Sequence, residues 1–300
     1  MPTARRGLPS RLARFVLERF PLQSYGLLIV ALVAGGSTAA ALATGASLQV
    51  TWATPAIALA VACAFLQLRV LDEIRDEAAD RLGRPERPLP RGLVTAFELR
   101  AFAALAAATG VAIVAMLGGA GLAWYGLALG VIWLLGLDLP HRLSIGLGIL
   151  RNAALHSVIA PILTLYIWAA TARVEVGVAL AAAVVLVWSA GLALEIGRKT
   201  VQPQEERPGV ETYSAEIGRT RALLLTGALL STSCCSATVL AVSVGGAAVT
   251  AVIPLAAAVV IAVAAATMGP PAGTKAIQSV ASSVVLITLL WPLVIAGAGP

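Results

Sequence analysis

The chain has 300 residues, of which 59% are hydrophobic and 12% are charged, and its mean hydropathy is +0.91. This composition excludes a soluble domain of ordinary make-up and indicates an all-α membrane protein, because helices satisfy their own backbone hydrogen bonds in lipid. The formal net charge is +6, and the charged residues lie mainly between the apolar runs. They are therefore expected on one face of a membrane protein, and no nucleic-acid partner is needed to explain them.

Residues 1–24 form the first predicted element, a basic amphipathic segment. Its arginines alternate with large apolar side chains, as at Arg11, Leu12, Arg14 and Phe15. Such a helix is expected to lie on the inner leaflet of the membrane, on the cytoplasmic side. A signal peptide is the alternative, but the charged region is long and the apolar run after it is long enough to span a bilayer.

The rest of the chain, residues 25–300, is predicted to be one transmembrane domain. A helix crosses a bilayer with about 20 apolar residues, and runs of this kind give nine predicted spans. They are 25–46, 50–71, 96–118, 121–137, 149–171, 176–197, 222–243, 246–267 and 277–298. We therefore expect a bundle of about nine transmembrane helices.

The basic residues predict the orientation of these spans. On the nine-span map, Arg173 alone among the 21 Lys and Arg residues falls on the opposite side of the membrane from the others. The positive-inside rule then places the amino terminus in the cytoplasm and the carboxy terminus outside. The expected location is the inner membrane of a bacterium, as a multi-pass integral protein.

A dense charge cluster connects the second and third spans, from Asp72 to Gly92, with six carboxylates and five arginines. Asp72, Asp76 and Asp80 recur every four residues and would share one face of a helix, with Glu73 close beside them. Their mutual repulsion is relieved by a divalent cation, and Mg²⁺ takes carboxylate oxygens and often shares them with phosphates.

Arginines follow these carboxylates directly, at Arg84, Arg87 and Arg91. Guanidinium groups bind phosphate oxygens in a bidentate geometry. Carboxylates for a metal followed by arginines for a phosphate predict a diphosphate site. A charged loop can also be no more than a solvated surface over the bundle, which is the alternative.

The order of residues favours the site, because the stretch resembles the first aspartate-rich motif of the UbiA-type intramembrane prenyltransferase superfamily. That motif reads N-D-x-x-D-x-x-x-D and is followed by R-P-x-R-P-x-P-x-G. The matching positions here are Asp72, Glu73, Asp76 and Asp80, and then Arg84 to Gly92. Asp72 replaces Asn and Glu73 replaces Asp, and both changes keep an oxygen ligand.

A second polar cluster follows the sixth span and resembles the second motif of the same superfamily, D-x-x-x-D with a following R-K and G-V-x-T. Arg198 and Lys199 match the basic pair, and residues 209–212 match G-V-x-T. The aspartates are missing, so Glu195 is the best candidate for a metal ligand here, with Glu205 or Glu206 as possible helpers. Alternatively, Arg198 and Lys199 bind the diphosphate directly and so supply part of the positive charge that a metal would provide. A third interpretation is that they are only basic residues flanking the cytoplasmic end of the span.

Three polar side chains begin the fifth span: Arg151, Asn152 and His156. Ionisable groups inside spans are costly and usually functional. Arg151 would hold a diphosphate oxygen, and His156 would accept a proton or orient a substrate hydroxyl. An interfacial arginine and a packing histidine are the alternative.

The resemblance implies an enzyme that ionises an isoprenyl diphosphate with Mg²⁺ and transfers the prenyl group to a lipophilic, aromatic acceptor. It implies helices around a central cavity, capped on the cytoplasmic side by the 2–3 and 6–7 loops. The candidate metal ligands are Asp72, Glu73, Asp76, Asp80 and Glu195; the diphosphate ligands are Arg84, Arg87, Arg151, Arg198 and Lys199; the catalytic residues are Asp76, Asp80, Glu195 and His156.

Two other functions are compatible with the sequence. Some members of the superfamily cyclise the prenyl chain without an acceptor. A transporter or metal carrier would also place carboxylates beside a cavity, but it would not need the Arg-Pro-x-Arg-Pro run. The expected partners are a prenyl diphosphate, a lipophilic acceptor and membrane lipid.

Overall fold

A computed structural model describes residues 7–46, 50–137, 148–172, 174–207, 210–246, 254 and 274–298. All regular secondary structure in these ranges is helical. The helices are α1 (Leu8–Arg19), α2 (Leu22–Ala43), α3 (Ala53–Arg75), α4 (Glu77–Gly83), α5 (Ala96–Leu117), α6 (Gly121–Gly136), α7 (Ile149–Ser157), α8 (Ile159–Thr171), α9 (Val178–Arg198), α10 (Tyr213–Ile217), α11 (Arg219–Ser243) and α12 (Thr274–Ala298), with a 3-10 turn at Pro203–Glu205.

Seven helical segments in the described ranges are long and apolar enough to cross a membrane. They are α2, α3, α5, α7 with α8, α9, α11 and residues Gln278–Ala298 of α12. The helix α6 is apolar but shorter, at 16 residues. The chain is thus a multi-pass membrane protein whose described part is entirely helical in its regular structure, as the composition indicates. Most of the predicted span at 246–267 lies outside the described residues, so the count of nine stays a prediction.

The predicted fifth span, 149–171, is formed by two helices that meet at Val158. Proline has no amide hydrogen, and its ring clashes with the carbonyl four residues earlier. For Pro161 that carbonyl belongs to Ser157, the last residue of α7. The proline therefore accounts for the break.

Close helix packing defines the middle of the bundle. A Cβ atom at Gly35 on α2 would lie 1.7 Å from the carbonyl oxygen of Leu289 on α12, so glycine is needed for these two backbones to approach. Elsewhere, the hydroxyl of Tyr125 on α6 donates to the carbonyl of Ala60 on α3 at 3.0 Å. Small residues and interhelical hydrogen bonds are the usual means of helix association in lipid.

The amino-terminal helix α1 is docked onto the bundle. Phe15 is completely buried in the main apolar core. Arg11 donates to the carboxylate of Glu98 at the start of α5 at 2.9 Å, and Arg19 donates to Glu73 near the end of α3 at 2.7 Å. These contacts hold α1 over the end of α3. Its placement on an inner leaflet and the boundary at residue 24 stay predictions.

Candidate active site

A cavity of about 510 Å³ lies between α2, α3, α7, α8, α9 and α12, and residues from the loops after α4 and α9 line one end of it. Whether these loops cap the bundle stays a prediction. That end is lined mainly by charged and polar side chains: Arg69, Asp72, Arg75, Asp76, Arg84, Arg87, Asn152, His156, Glu195, Arg198, Lys199, Glu211 and Gln278. The walls deeper in the bundle are aliphatic and include Leu28, Leu32, Val187, Val285 and Leu289.

The positions along the helices give the depth of the cavity. Ser24 and Leu32 both line it and are separated by about 12 Å along α2, at roughly 1.5 Å per residue. Gln278 and Leu289 are separated by about 16 Å along α12 in the same way. The cavity is therefore an elongated slot with a charged end and an aliphatic end.

The first motif is divided by a break in the helix. The helix α3 ends at Arg75, and Asp76 has the non-helical dihedrals φ −83° and ψ 0° before α4 begins. Asp72 and Asp76 line the cavity, whereas Glu73 and Asp80 do not. The structure therefore brings two of the four predicted carboxylates of this motif into the cavity wall.

Glu73 is buried against two arginines. Its Oε2 accepts hydrogen bonds from Arg19 at 2.7 Å and from Arg69 at 3.3 Å, and its side chain is 0% exposed. Its Oε1 has no hydrogen-bond partner among the described residues. Two guanidinium groups already neutralise this carboxylate and disfavour a cation beside it. Its contacts are those of a residue that fastens α1 to α3.

Asp80 is also buried, with 5% of its side chain exposed, and is bonded to Arg87. Arg84 lies farther away, with 3.9 Å between its Nη1 and an oxygen of Asp80. Burial, together with the positive charge of Arg87, lowers the pKa of Arg84. Because both arginines line the cavity, a bound anion would relieve the electrostatic cost at Arg84.

The second motif contributes Glu195, Arg198 and Lys199, and all three line the cavity. Glu195 accepts from Arg198 at 2.7 Å and forms an ion pair with Lys199 at 2.8 Å. Glu205 and Glu206 are not in the cavity wall. Glu206 instead accepts hydrogen bonds from the loop residue Thr212. Gly209 lies outside the described residues.

His156 lines the cavity beside Asp72, with 3.9 Å between its Nδ1 and a carboxylate oxygen. Its Nε2 is 2.7 Å from Nη1 of Arg75. Arginine is always a donor, so Nε2 accepts and a neutral imidazole carries its proton on Nδ1. In this state Nε2 is occupied, and the predicted role of His156 as a proton acceptor requires Arg75 to move.

Other residues differ from the sequence-based expectations in position. Arg151 is exposed and does not line the cavity, whereas its neighbour Asn152 does. Sequence reasoning did not select Arg75, Tyr213 or Gln278, which are all in the wall. Arg75 had a detectable signal, because it follows Asp72 by three residues and so shares its helix face. Tyr213 also had one, because it directly follows the G-V-x-T segment at 209–212, whereas Gln278 had none.

The donor set fits a magnesium ion that is shared with a substrate. In the described part of the chain, no three His, Cys, Asp or Glu side chains converge to form a metal site by themselves. Mg²⁺ is commonly held by one or two carboxylates together with substrate phosphates and water. Asp72 and Asp76 both contact Arg75 within 3.1 Å, so these two carboxylates are close enough to serve in this way.

Comparisons with known proteins agree with this architecture. The sequence matches the UbiA prenyltransferase family over residues 27–276, and no curated protein matches it. A structure of digeranylgeranylglyceryl phosphate synthase is 14% identical with a TM-score of 0.64, covering 96% of this chain and 99% of that one.

Two archaeal structures are similar as well, each covering 90% of this chain and 96% of its own. The apo UbiA homologue from Aeropyrum pernix K1 is 18% identical, with a TM-score of 0.61. The UbiA homologue from Archaeoglobus fulgidus bound to DMAPP and Mg²⁺ is 12% identical, with a TM-score of 0.58. At these identities the structures show a shared fold, and the match over 27–276 shows more: the chain belongs to the UbiA prenyltransferase family.

Proposed function

We propose that this protein is an Mg²⁺-dependent prenyltransferase that moves the prenyl group of an isoprenyl diphosphate to a lipophilic, aromatic acceptor within the membrane. The observation that carries the proposal is the slot itself, which has acidic and basic side chains at one end and aliphatic walls beyond them. This division matches a ligand with a charged head and an apolar chain. The A. fulgidus homologue was solved with DMAPP or GPP and Mg²⁺, which supports the same ligand class here.

The charged end would hold the diphosphate. Arg84, Arg87, Arg198 and Lys199 all line it and would donate to phosphate oxygens. When the carbon–oxygen bond of the substrate ionises, negative charge grows on the departing diphosphate, and prearranged donors stabilise that charge. These four side chains are therefore the proposed diphosphate ligands, while the exposed position of Arg151 leaves it with weaker support.

The metal would be held by Asp72 and Asp76, which line the cavity side by side. Bound there, Mg²⁺ would act as a Lewis acid on the phosphate oxygens. Glu195 also lines the cavity, but Arg198 and Lys199 already neutralise it. The buried pairs of Glu73 with Arg19 and of Asp80 with Arg87 favour a positioning role for these two carboxylates.

The aliphatic end would hold the prenyl chain and exclude water. A carbocation formed in a dry slot is captured by the acceptor and not by solvent. In the part of the wall that the structure describes, the aromatic side chains are Tyr25, Phe65 and Tyr213. A cyclase must guide several successive carbocations, usually through cation–π contacts of about 0.5–2 kcal/mol each. The small number of aromatic rings supports transfer over cyclisation.

Product analysis tests the proposal. Purified protein is incubated with Mg²⁺ and farnesyl or geranylgeranyl diphosphate, with and without a panel of hydroxylated aromatic acceptors. Extracted lipids are analysed by mass spectrometry, and diphosphate release is measured in parallel. We expect no turnover until an acceptor is supplied, and then a prenylated acceptor.

The other outcomes separate the alternatives. A cyclic hydrocarbon or terpene alcohol formed without an acceptor would replace transfer by cyclisation. No diphosphate release under any condition would remove the enzymatic function and favour a transporter. Asp76→Asn protein purified in the same way controls for contaminating enzymes.

A further inference from the structure

Arg75 occupies the centre of the charged end of the cavity. It uses three different nitrogen atoms: Nη2 is 3.0 Å from Asp72, Nε is 3.1 Å from Asp76, and Nη1 is 2.7 Å from His156. The Nε and Nη2 hydrogens lie on one edge of the planar guanidinium group. One oxygen from each aspartate therefore meets the same edge of Arg75.

This arrangement places a cation between the two carboxylates that would hold Mg²⁺. A metal ion that binds both Asp72 and Asp76 would share these two carboxylates with a guanidinium group that already engages one oxygen of each. Arg75 keeps its charge at physiological pH, so a metal ion at these carboxylates would be repelled by it, and movement of Arg75 away from them would relieve that repulsion.

The net charge of the cavity wall also disfavours the binding of a metal ion without a diphosphate. Among the described residues, six cationic and four anionic side chains line the cavity: Arg69, Arg75, Arg84, Arg87, Arg198 and Lys199 against Asp72, Asp76, Glu195 and Glu211. A bare divalent cation entering this site is opposed by an excess of positive charge, whereas a metal already bound to a diphosphate is not.

We propose that Arg75 holds the place of the divalent cation between Asp72 and Asp76, and that it is displaced when a metal-bound diphosphate enters. Arg75 is then a positioning residue that makes metal binding depend on the diphosphate. Its side chain keeps the two carboxylates together before substrate arrives, and leaves Nε2 of His156 when it moves. The inference rests on the proposed function, since it assumes a divalent metal at Asp72 and Asp76.

Binding of Mn²⁺ in the absence of any diphosphate tests the inference without measuring activity. The free Mn²⁺ signal in electron paramagnetic resonance is titrated against the full-length protein in detergent, and sites that survive in Asp76→Asn protein are subtracted. We expect Arg75→Gln to bind Mn²⁺ about tenfold more tightly than the unmodified protein, because it removes a competing charge-assisted contact.

Arg81 provides a matched control. It is paired with Glu77 at 2.6 Å on α4, is largely exposed and does not line the cavity. Arg81→Gln removes the same charge from the same segment and should leave the Mn²⁺ affinity within about twofold of the unmodified protein. Equal Mn²⁺ affinity in Arg75→Gln and Arg81→Gln overturns the inference, and so does weaker binding in Arg75→Gln.

If Arg75→Gln does not fold, Mn²⁺ binding is measured on Arg75→Lys instead. A lysine ammonium cannot present the two parallel donors of a guanidinium edge, so it should tighten Mn²⁺ binding in the same direction by less. Unchanged affinity in Arg75→Lys then overturns the inference. Failure of the proposed function looks different: the unmodified protein would bind no Mn²⁺ at Asp76 even with a non-hydrolysable prenyl diphosphate present.

Discussion

Arg84→Gln is the substitution that most directly tests how the diphosphate is held. Arg84 lines the cavity, and its Nη1 is 3.9 Å from Asp80, which is too long for a hydrogen bond. Asp80 keeps its bond to Arg87 when Arg84 is removed. Arg84 is about one-third exposed, and a long contact between a solvated arginine and a carboxylate that has another partner contributes about 0–1 kcal/mol. The free energy of unfolding should therefore change little.

Binding of a prenyl diphosphate should change much more. Hydrogen bonds to charged groups contribute about 1.5–3 kcal/mol each, which corresponds to roughly a 10- to 150-fold rise in Kd. Burial beside the positive charge of Arg87 lowers the pKa of Arg84, and an anion at this position removes that penalty. Binding of a prenyl alcohol, which offers no phosphate oxygens, should stay within about twofold.

The assay is equilibrium binding of radiolabelled farnesyl diphosphate and farnesol to purified protein, with thermal unfolding measured on the same samples. Arg81→Gln is again the control, since it removes an arginine outside the cavity wall. Equal losses for both ligands, or no loss for the diphosphate, would refute the reasoning. Arg87→Ala is less informative because it would leave the buried Asp80 without its close partner, which costs about 3–5 kcal/mol.

Three other predictions concern the metal, the topology and the packing. Asp76→Asn should lower kcat/KM at least about 100-fold while thermal unfolding is unchanged, because an amide is a poorer Mg²⁺ ligand. EDTA should lower the activity of the unmodified protein in the same way, and added Mg²⁺ should restore it. Full turnover in EDTA would contradict this prediction. Cys235→Ser first removes the exposed native cysteine. A cysteine introduced at Gln202 should then be labelled from the cytoplasm and one at the exposed Val176 from outside, since α9 separates the two positions. Labelling of both from the same side would contradict a spanning α9. Gly35→Ala should lower the melting temperature because its Cβ meets the backbone of α12, whereas Gly26→Ala, on the same helix with nothing within 4 Å, should not.

Hydropathy predicts where the chain crosses the membrane but not where the helices end. The second predicted span stops at residue 71, whereas α3 continues to Arg75. The last turn carries Asp72 and Arg75, whose charges end an apolar run but are compatible with a helix that faces a polar cavity. A hydropathy pattern reports contact with lipid, so it misses a turn that faces a cavity.

Residue spacing predicts the composition of the site better than its geometry. Four-residue spacing places Asp72, Asp76 and Asp80 on one helix face, yet the break at Asp76 separates Asp80 from the wall. Whether Glu73 faces the cavity depends on Arg19, which is 54 residues earlier in the chain. A partner so distant in sequence cannot be read from the motif itself.

The acidic residues of the first motif therefore divide between two kinds of contact. Glu73 and Asp80 are buried against arginines from α1 and from the loop after α4, so they fix where these segments sit. Asp72 and Asp76 remain in the cavity wall, where Arg75 engages them. Removal of one partner from a buried pair destabilises the fold, whereas the pair in the wall is proposed to exchange its partner when a ligand binds. The tertiary contacts thus distinguish the carboxylates of this motif that position arginines, Glu73 and Asp80, from those that are proposed to receive the metal, Asp72 and Asp76.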